Sequence, residues 1–233
     1  MKSGHNGKPF FPGDWGEMAL IVLEGIDASG KKTQAQLLVE RLKGSGRKAV
    51  LIDFPSYEAN PFGKLIARYL KGEFGPRERV PKKFVCLLYA LDRYSRKKEI
   101  EGFLRKGFVV VLDRYTQANL AYQTADLKGR ERRKFIAWIE ELEKGLPKAD
   151  AVVFLDVPPL ESQKLLGKRK SKIEGVKKDI HEKDRAFARR VYANYGLLAR
   201  EKKWVVVKCM QKGVLKPKEE IAALVFKALR KVL

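Results

Sequence analysis

The chain has 233 residues, 45% of them hydrophobic, which is enough for one well-filled core and too little for two full domains. No run of eighteen or more apolar residues occurs, so a membrane-spanning helix is not expected. Fifty Lys and Arg against twenty-eight Asp and Glu give a formal net charge of +22, which attracts nucleic acid and nucleotides alike and equally suits solvated helix faces. Along the chain, residues 1–17 read as a polar, glycine-rich arm without the apolar centre of a signal peptide. Short Val/Ile/Leu runs at 19–23, 49–52, 108–112, 151–155 and 204–207 predict five strands, each apolar on both faces as in a buried parallel sheet. Helical periodicity predicts helices over 33–43, 61–71, 81–105, 116–127, 130–144, 160–168, 180–202 and 217–232. The alternation implies an α/β fold, a doubly wound five-stranded parallel sheet flanked by helices, forming one domain over 18–233. Cys86 and Cys209 sit in or beside apolar runs and read as buried thiols of a reducing, cytoplasmic compartment.

Directly after the first predicted strand comes Gly25-Ile26-Asp27-Ala28-Ser29-Gly30-Lys31-Lys32-Thr33, opening the first helix. Two glycines with four residues between them, followed by lysine, form a phosphate-binding loop. The glycines let backbone N–H groups turn inward, and the helix N-terminus adds positive potential. Lys31 then meets the β- and γ-phosphates of ATP. The next position, usually Ser or Thr, is Lys32. Magnesium is therefore held by other groups, such as carboxylates and water, or Lys32 itself contacts phosphate. Asp113, ending the third predicted strand, is placed to hold Mg²⁺ directly or through water, and Arg114 beside it to neutralise charge between two phosphates. Residues 164–183 carry eight Lys or Arg with Gly167 and Gly175 as breakers, and predict either a solvated loop or a cationic lid.

From about Met18 onward the chain resembles the thymidylate kinase family. The resemblance rests on Glu24–Gln34, Asp53-Phe54-Pro55-Ser56-Tyr57, Leu88-Tyr89-Ala90-Leu91-Asp92-Arg93, Asp113-Arg114-Tyr115 with Asn119 to Gln123, and Asp179-Ile180-His181-Glu182. It implies an ATP- and Mg²⁺-dependent kinase of dTMP, with Tyr89 stacking on thymine, Phe54 against base or sugar, and Tyr57 in the same acceptor site. It further implies Arg93 donating to thymine O4, Asn119 and Gln123 on the remaining pyrimidine edge, and Tyr122 crowding the 2′ position. Asp27 accepts from the 3′-hydroxyl or orders metal-bound water; Arg114 bridges the two phosphates and Lys31 holds the donor. Where relatives often carry Arg, this chain has Ser56, so that a phosphate contact is either missing or supplied by Arg68. Because the loop has Ala28 and Ser29 in place of an Arg, the lid supplies the cation, with Arg169, Lys168 and Lys170 as candidates. His181 reads as a surface or capping residue. A homodimer is implied, through helices such as 81–105.

Two other readings compete. A kinase of a different nucleoside monophosphate, or of a nucleoside, keeps the fold and changes the acceptor. A basic nucleic-acid-binding protein with a degenerate phosphate loop accounts for the charge and for Lys32 through non-specific electrostatics.

Overall fold

The computed structural model describes residues 18–167, 173 and 179–230. The 1–17 arm and the lid candidates Lys168, Arg169 and Lys170 lie outside them. Five parallel strands, β1 (Ala19–Glu24), β2 (Ala49–Asp53), β3 (Val109–Asp113), β4 (Ala151–Asp156) and β5 (Val205–Lys208), form one sheet in the order β2-β3-β1-β4-β5. All five predicted strands are present, within a residue or two at each end.

The alternation of each strand explains why both faces are covered. Ala19, Ile21 and Leu23 of β1, with Val109 and Val111 of β3, face α1 (Lys31–Gly44) and α10 (Lys218–Leu229). Leu20, Val22, Val110 and Leu112 face the other way, onto Ile100 of α4 (Lys97–Arg105) and Leu146. Beside them, Phe154 of β4 packs with α5 (Thr116–Gln123), α6 (Gly129–Leu142) and α9 (Arg185–Glu201). Each fully buried Val, Leu or Ile contributes about 1.5–3 kcal/mol, so the sheet interior is the main source of stability. A separate cluster joins α2 (Pro61–Lys71) to α3 (Lys82–Ser95) through Ile66, Tyr69, Leu70, Val85 and Leu88, forming a wall beside the carboxyl ends of the strands.

Two predicted helices are each split. The stretch 81–105 breaks at Arg96, where the Ser95 hydroxyl donates to the Asp92 carbonyl at 2.7 Å and competes with the helical ladder. The stretch 180–202 divides into α8 (Ile180–Lys183) and α9, because the Asp184 carboxylate accepts from the Phe187 N–H at 2.8 Å and starts a new helix. A small antiparallel hairpin, β6 (Met210–Gln211) and β7 (Val214–Leu215), was not expected. It turns through Lys212 and Gly213, both at positive φ. α7 (Pro159–Leu166) follows β4 and supports the phosphate loop, the Ser162 hydroxyl donating to the Asp27 carbonyl at 2.5 Å. None of the described helices is long and apolar enough to cross a membrane. Both cysteines are buried, and burial pushes each thiol up to about 12.

Candidate active site

The loop between β1 and α1 is shaped by contacts that exclude larger residues. A Cβ on Gly25 would meet the Ser29 hydroxyl at 2.7 Å and the Leu155 carbonyl at 3.1 Å, at a φ of 151°. Gly30 precedes α1, no side chain caps that helix, and its first turn carries no acid, so the N-terminal potential faces the groove unopposed. Lys31 is buried and folds back over the loop, Nζ donating to the Ile26 carbonyl at 2.7 Å and to Ser29 Oγ at 3.4 Å. Asp27, Ala28, Gly30, Lys31, Lys32 and Thr33 line an open groove of about 1270 Å³ with Phe54, Asp113, Arg114, Asp179 and Glu182.

Lys32 occupies the position where a hydroxyl is usual. Register places Asp53 of β2 beside Asp113 of β3, and Lys32 Nζ pairs with Asp53 at 2.8 Å. The bond to Asp53 raises the ammonium above its ordinary range, with a smaller contribution from Asp113. The lysine thus sits as a fixed positive charge at the carboxyl edge of the sheet.

A second chamber adjoins the groove. Tyr89 and Arg93 come from α3, Asn119, Tyr122 and Gln123 from α5, Leu70 from α2 and His181 from α8. Asp27, Pro55, Tyr57, Arg114 and Asp179 line both chambers and mark their junction. Glycine is required behind this wall too: a Cβ on Gly63 would sit 1.9 Å from the Ser56 carbonyl, so α2 lies directly on the 56–57 backbone. Asp92 holds the same loop, accepting from the Ser56 N–H at 3.0 Å and from Asn60 Nδ2 at 2.6 Å.

Arg114 stands at the junction in a left-handed backbone conformation, φ 68°, which costs a non-glycine residue about 1–2 kcal/mol. Its guanidinium donates to Asp27 Oδ1 at 2.7 Å, the Tyr122 hydroxyl at 3.1 Å, the Gly25 carbonyl at 3.0 Å and the Tyr195 hydroxyl at 3.2 Å. The Tyr122 hydroxyl donates in turn to Asp27 Oδ2 at 2.8 Å. Beneath them lies Glu24, fully buried, accepting from the Tyr115 N–H at 2.9 Å and the Tyr195 hydroxyl at 2.7 Å. Burial raises the Glu24 carboxyl, and Arg114 opposes that rise. The charge of Arg114 is therefore fixed in place by a network spanning β1, α5 and α9.

Arg93 and Asn119 meet in the chamber wall. Arg93 is 2% exposed and forms an ion pair with the buried Glu143. Asn119 Nδ2 donates to the same Glu143 oxygen and to the Cys86 carbonyl, each at 3.1 Å. Phe54 packs in the core against Tyr115, 5.8 Å between ring centres, and lines the phosphate groove, while its neighbour Pro55 reaches the second chamber. The Phe54–Pro55 peptide is cis. Arg68 does not come to either chamber: it pairs with Glu73 at 2.6 Å and lies over Phe74. The cation that reaches Ser56 is Arg96, Nη1 donating to its hydroxyl at 3.4 Å.

His181 is a correction. Sequence places it at the surface or in a cap, whereas the structure buries it against Tyr122 (5.5 Å, stacked), Tyr69 and Phe187. The capping belongs to Asp179, whose carboxylate accepts from the His181 and Glu182 N–H groups, each at 2.8 Å. Burial depresses the His181 imidazole to about 4, below its ordinary 6.5, so the native ring is neutral at pH 7. A base depressed on folding stabilises fully above the unfolded value and loses that stability as pH falls from about 6.5 towards about 4, by about 1.4 kcal/mol per unit. Asp179, raised to about 7 by burial and then by Asp27 and Glu182, runs the other way, losing stability as pH rises through that range. Comparing wild type with His181→Phe cancels the Asp179 contribution. The wild-type melting temperature should fall further than that of the variant between pH 6.5 and 4.5; parallel curves would show that His181 does not carry the depressed value.

A family model described as thymidylate kinase matches residues 23–221. A thymidylate kinase of Plasmodium falciparum is 32% identical over 192 residues, covering 82% of each chain. One from Mycobacterium tuberculosis is 33% identical over 198 residues, covering 81% of this chain and 90% of the relative. A solved structure of thymidylate kinase from Candida albicans superposes with a TM-score of 0.72 at 26% identity, covering 91% of both chains. The matched span takes in the phosphate loop, Arg114 with its network, and the Arg93–Asn119 wall, and the chain belongs to the thymidylate kinase family.

Proposed function

We propose that this chain transfers the γ-phosphoryl group of ATP to dTMP, giving ADP and dTDP. The observation that carries the reading is Arg114, held by four acceptors or hydroxyls where the phosphate groove meets the second chamber. ATP phosphates lie on the loop N–H groups and Lys31; the dTMP phosphate faces Arg114. An oxygen of the dTMP phosphate attacks the γ-phosphorus, and the bond to the β–γ bridging oxygen breaks, its electrons leaving with ADP. No strong base is needed, because the attacking group is already anionic; catalysis is alignment plus neutralisation of charge on the transferring group.

In the second chamber Tyr89 stacks on the base, Arg93 and Asn119 read its edge, and Tyr122, pinned by Asp27, closes the sugar side. Asp27 serves chiefly to hold Arg114 and Tyr122. The lid supplies a further cation from Arg169, Lys168 or Lys170.

Among the described residues no three acids or histidines form a ready-made metal cage. That fits magnesium, which keeps several waters and binds through one or two carboxylates plus substrate phosphates. Asp113 at the end of β3 and Asp27 in the loop are the residues that would hold it, directly or through water; the Lys32 ammonium, which has no lone pair, would not. When bound, the ion supplies charge neutralisation on the donor phosphates. Homodimerisation is supported by Phe84 and Leu87, large apolar residues exposed on α3; sedimentation at the mass of one chain would rule it out. The activity itself is tested by coupled ADP release with ATP, Mg²⁺ and a panel of monophosphates. Broad substrate specificity is attributed to the Candida albicans enzyme, which makes the panel more informative than dTMP alone.

A further inference from the structure

Glu143 lies outside the acceptor chamber yet touches both residues that read the base edge. It is the residue after the last turn of α6, its own N–H donating to the Ile139 carbonyl at 3.0 Å. Its side chain is 4% exposed, and one carboxylate oxygen accepts from both Arg93 Nη1 and Asn119 Nδ2.

The consequence falls on Asn119. An asparagine amide has two N–H donors, and here one goes to Glu143 and the other to the Cys86 carbonyl. The amide oxygen is buried, has no hydrogen-bond partner, and belongs to a residue lining the chamber. Turning the amide over would set that oxygen against a carboxylate and a carbonyl, two acceptor–acceptor contacts in a buried site. The flip is therefore closed, and the one amide group of Asn119 left for a ligand is an acceptor. Arg93, a guanidinium, can only donate, and its Nε is likewise buried without a partner.

We infer that Glu143 is a positioning residue for base selectivity, fixing an acceptor (Asn119) beside a donor (Arg93) in the chamber wall. This inference rests on the proposed kinase reading. An acceptor beside a donor matches a ring N–H next to a carbonyl, the imide edge of thymine or uracil. Cytosine presents a bare ring nitrogen and an amino group at the same two places, so both contacts would be mismatched. Each lost polar match in a buried site leaves a group unpaired, which is how such sites discriminate strongly.

The test compares wild type with Glu143→Leu, which removes acceptor and charge at similar volume, and Glu143→Gln, which keeps one acceptor. Ligand-free melting temperature and the KM for ATP serve as controls. The kcat/KM ratio for dTMP over dCMP should fall about tenfold or more in Glu143→Leu and less in Glu143→Gln. The loss should appear in the dTMP KM, with kcat within about threefold. Glu143→Leu should melt lower whichever role holds, because it strands the buried Arg93 charge; a merely structural role would leave the ratio where it was, and an unchanged ratio overturns the inference. If Glu143→Leu does not fold, Glu143→Gln decides alone, with a ratio lowered at least about threefold expected and an unchanged ratio contradicting. A wild-type enzyme that turns over dTMP no better than dCMP would instead overturn the base reading itself, before any variant is made.

Discussion

Replacing Arg114 by alanine should lower kcat for dTMP phosphorylation by about a thousandfold, while the dTMP KM rises far less. Removing one preorganised donor to a developing charge costs about 10²–10³ in kcat, and cationic side chains on transferring phosphoryl groups are worth about 10³–10⁵. Arg114 combines both properties, because its orientation is set before substrate arrives by Asp27, Tyr122, Gly25 and Tyr195. Alanine also leaves Asp27 and the buried Glu24 without their counter-charge, so a melting curve must accompany the kinetics. Arg114→Lys separates the two effects, keeping the charge and losing the fork; it should recover stability and only part of kcat. An unchanged kcat in a folded Arg114→Ala enzyme would remove this residue from the mechanism.

Arg93→Ala should act on a different parameter. A buried hydrogen bond from a charged group is worth about 1.5–3 kcal/mol, so the dTMP KM should rise roughly tenfold to a hundredfold, with blunted discrimination against dCMP. The ion pair with Glu143 adds a second cost that the sequence does not reveal. Removing one partner of a buried pair leaves the other charge uncompensated, at about 3–5 kcal/mol. The variant should therefore melt well below wild type even without ligand. Arg93→Ala combined with Glu143→Leu should regain much of that stability and none of the selectivity, which distinguishes recognition from folding. If the double variant recovered discrimination, Arg93 would not be the reader of the base.

The parts of the molecule that were legible in advance are those specified locally. The strands follow from short apolar runs, which suit a sheet covered on both faces at β1, β3 and β4, while the edge strand β5 leaves Val206 exposed. The phosphate loop follows from glycine spacing, and Tyr89 with Arg93 from one helical turn. What escaped is set by contacts distant in sequence or by single side-chain bonds that leave the apolar pattern unchanged. Glu143 is fifty residues from Arg93. His181 is buried by Tyr69 and Tyr122, from α2 and α5 and far from it in sequence, together with Phe187 of α9. The helix breaks at Arg96 and Asp184 come from single side-chain-to-backbone bonds that leave the apolar period intact. Arg68 fits the sequence pattern as a phosphate contact, but its ion pair with Glu73 on the outer side of α2 keeps it from the site.

The second chamber, bounded by Tyr89, Arg93, Asn119 and Tyr122, is where dTMP is expected to bind. Coupled ADP release with ATP and Mg²⁺, measured separately with dTMP, dUMP, dCMP, dGMP and UMP, tests it most directly. The highest kcat/KM is expected for dTMP, with a lower value for dUMP and little turnover of dCMP or dGMP. Absence of turnover with every acceptor would contradict it, and would identify Lys32 and Ser56 as marks of a lost activity.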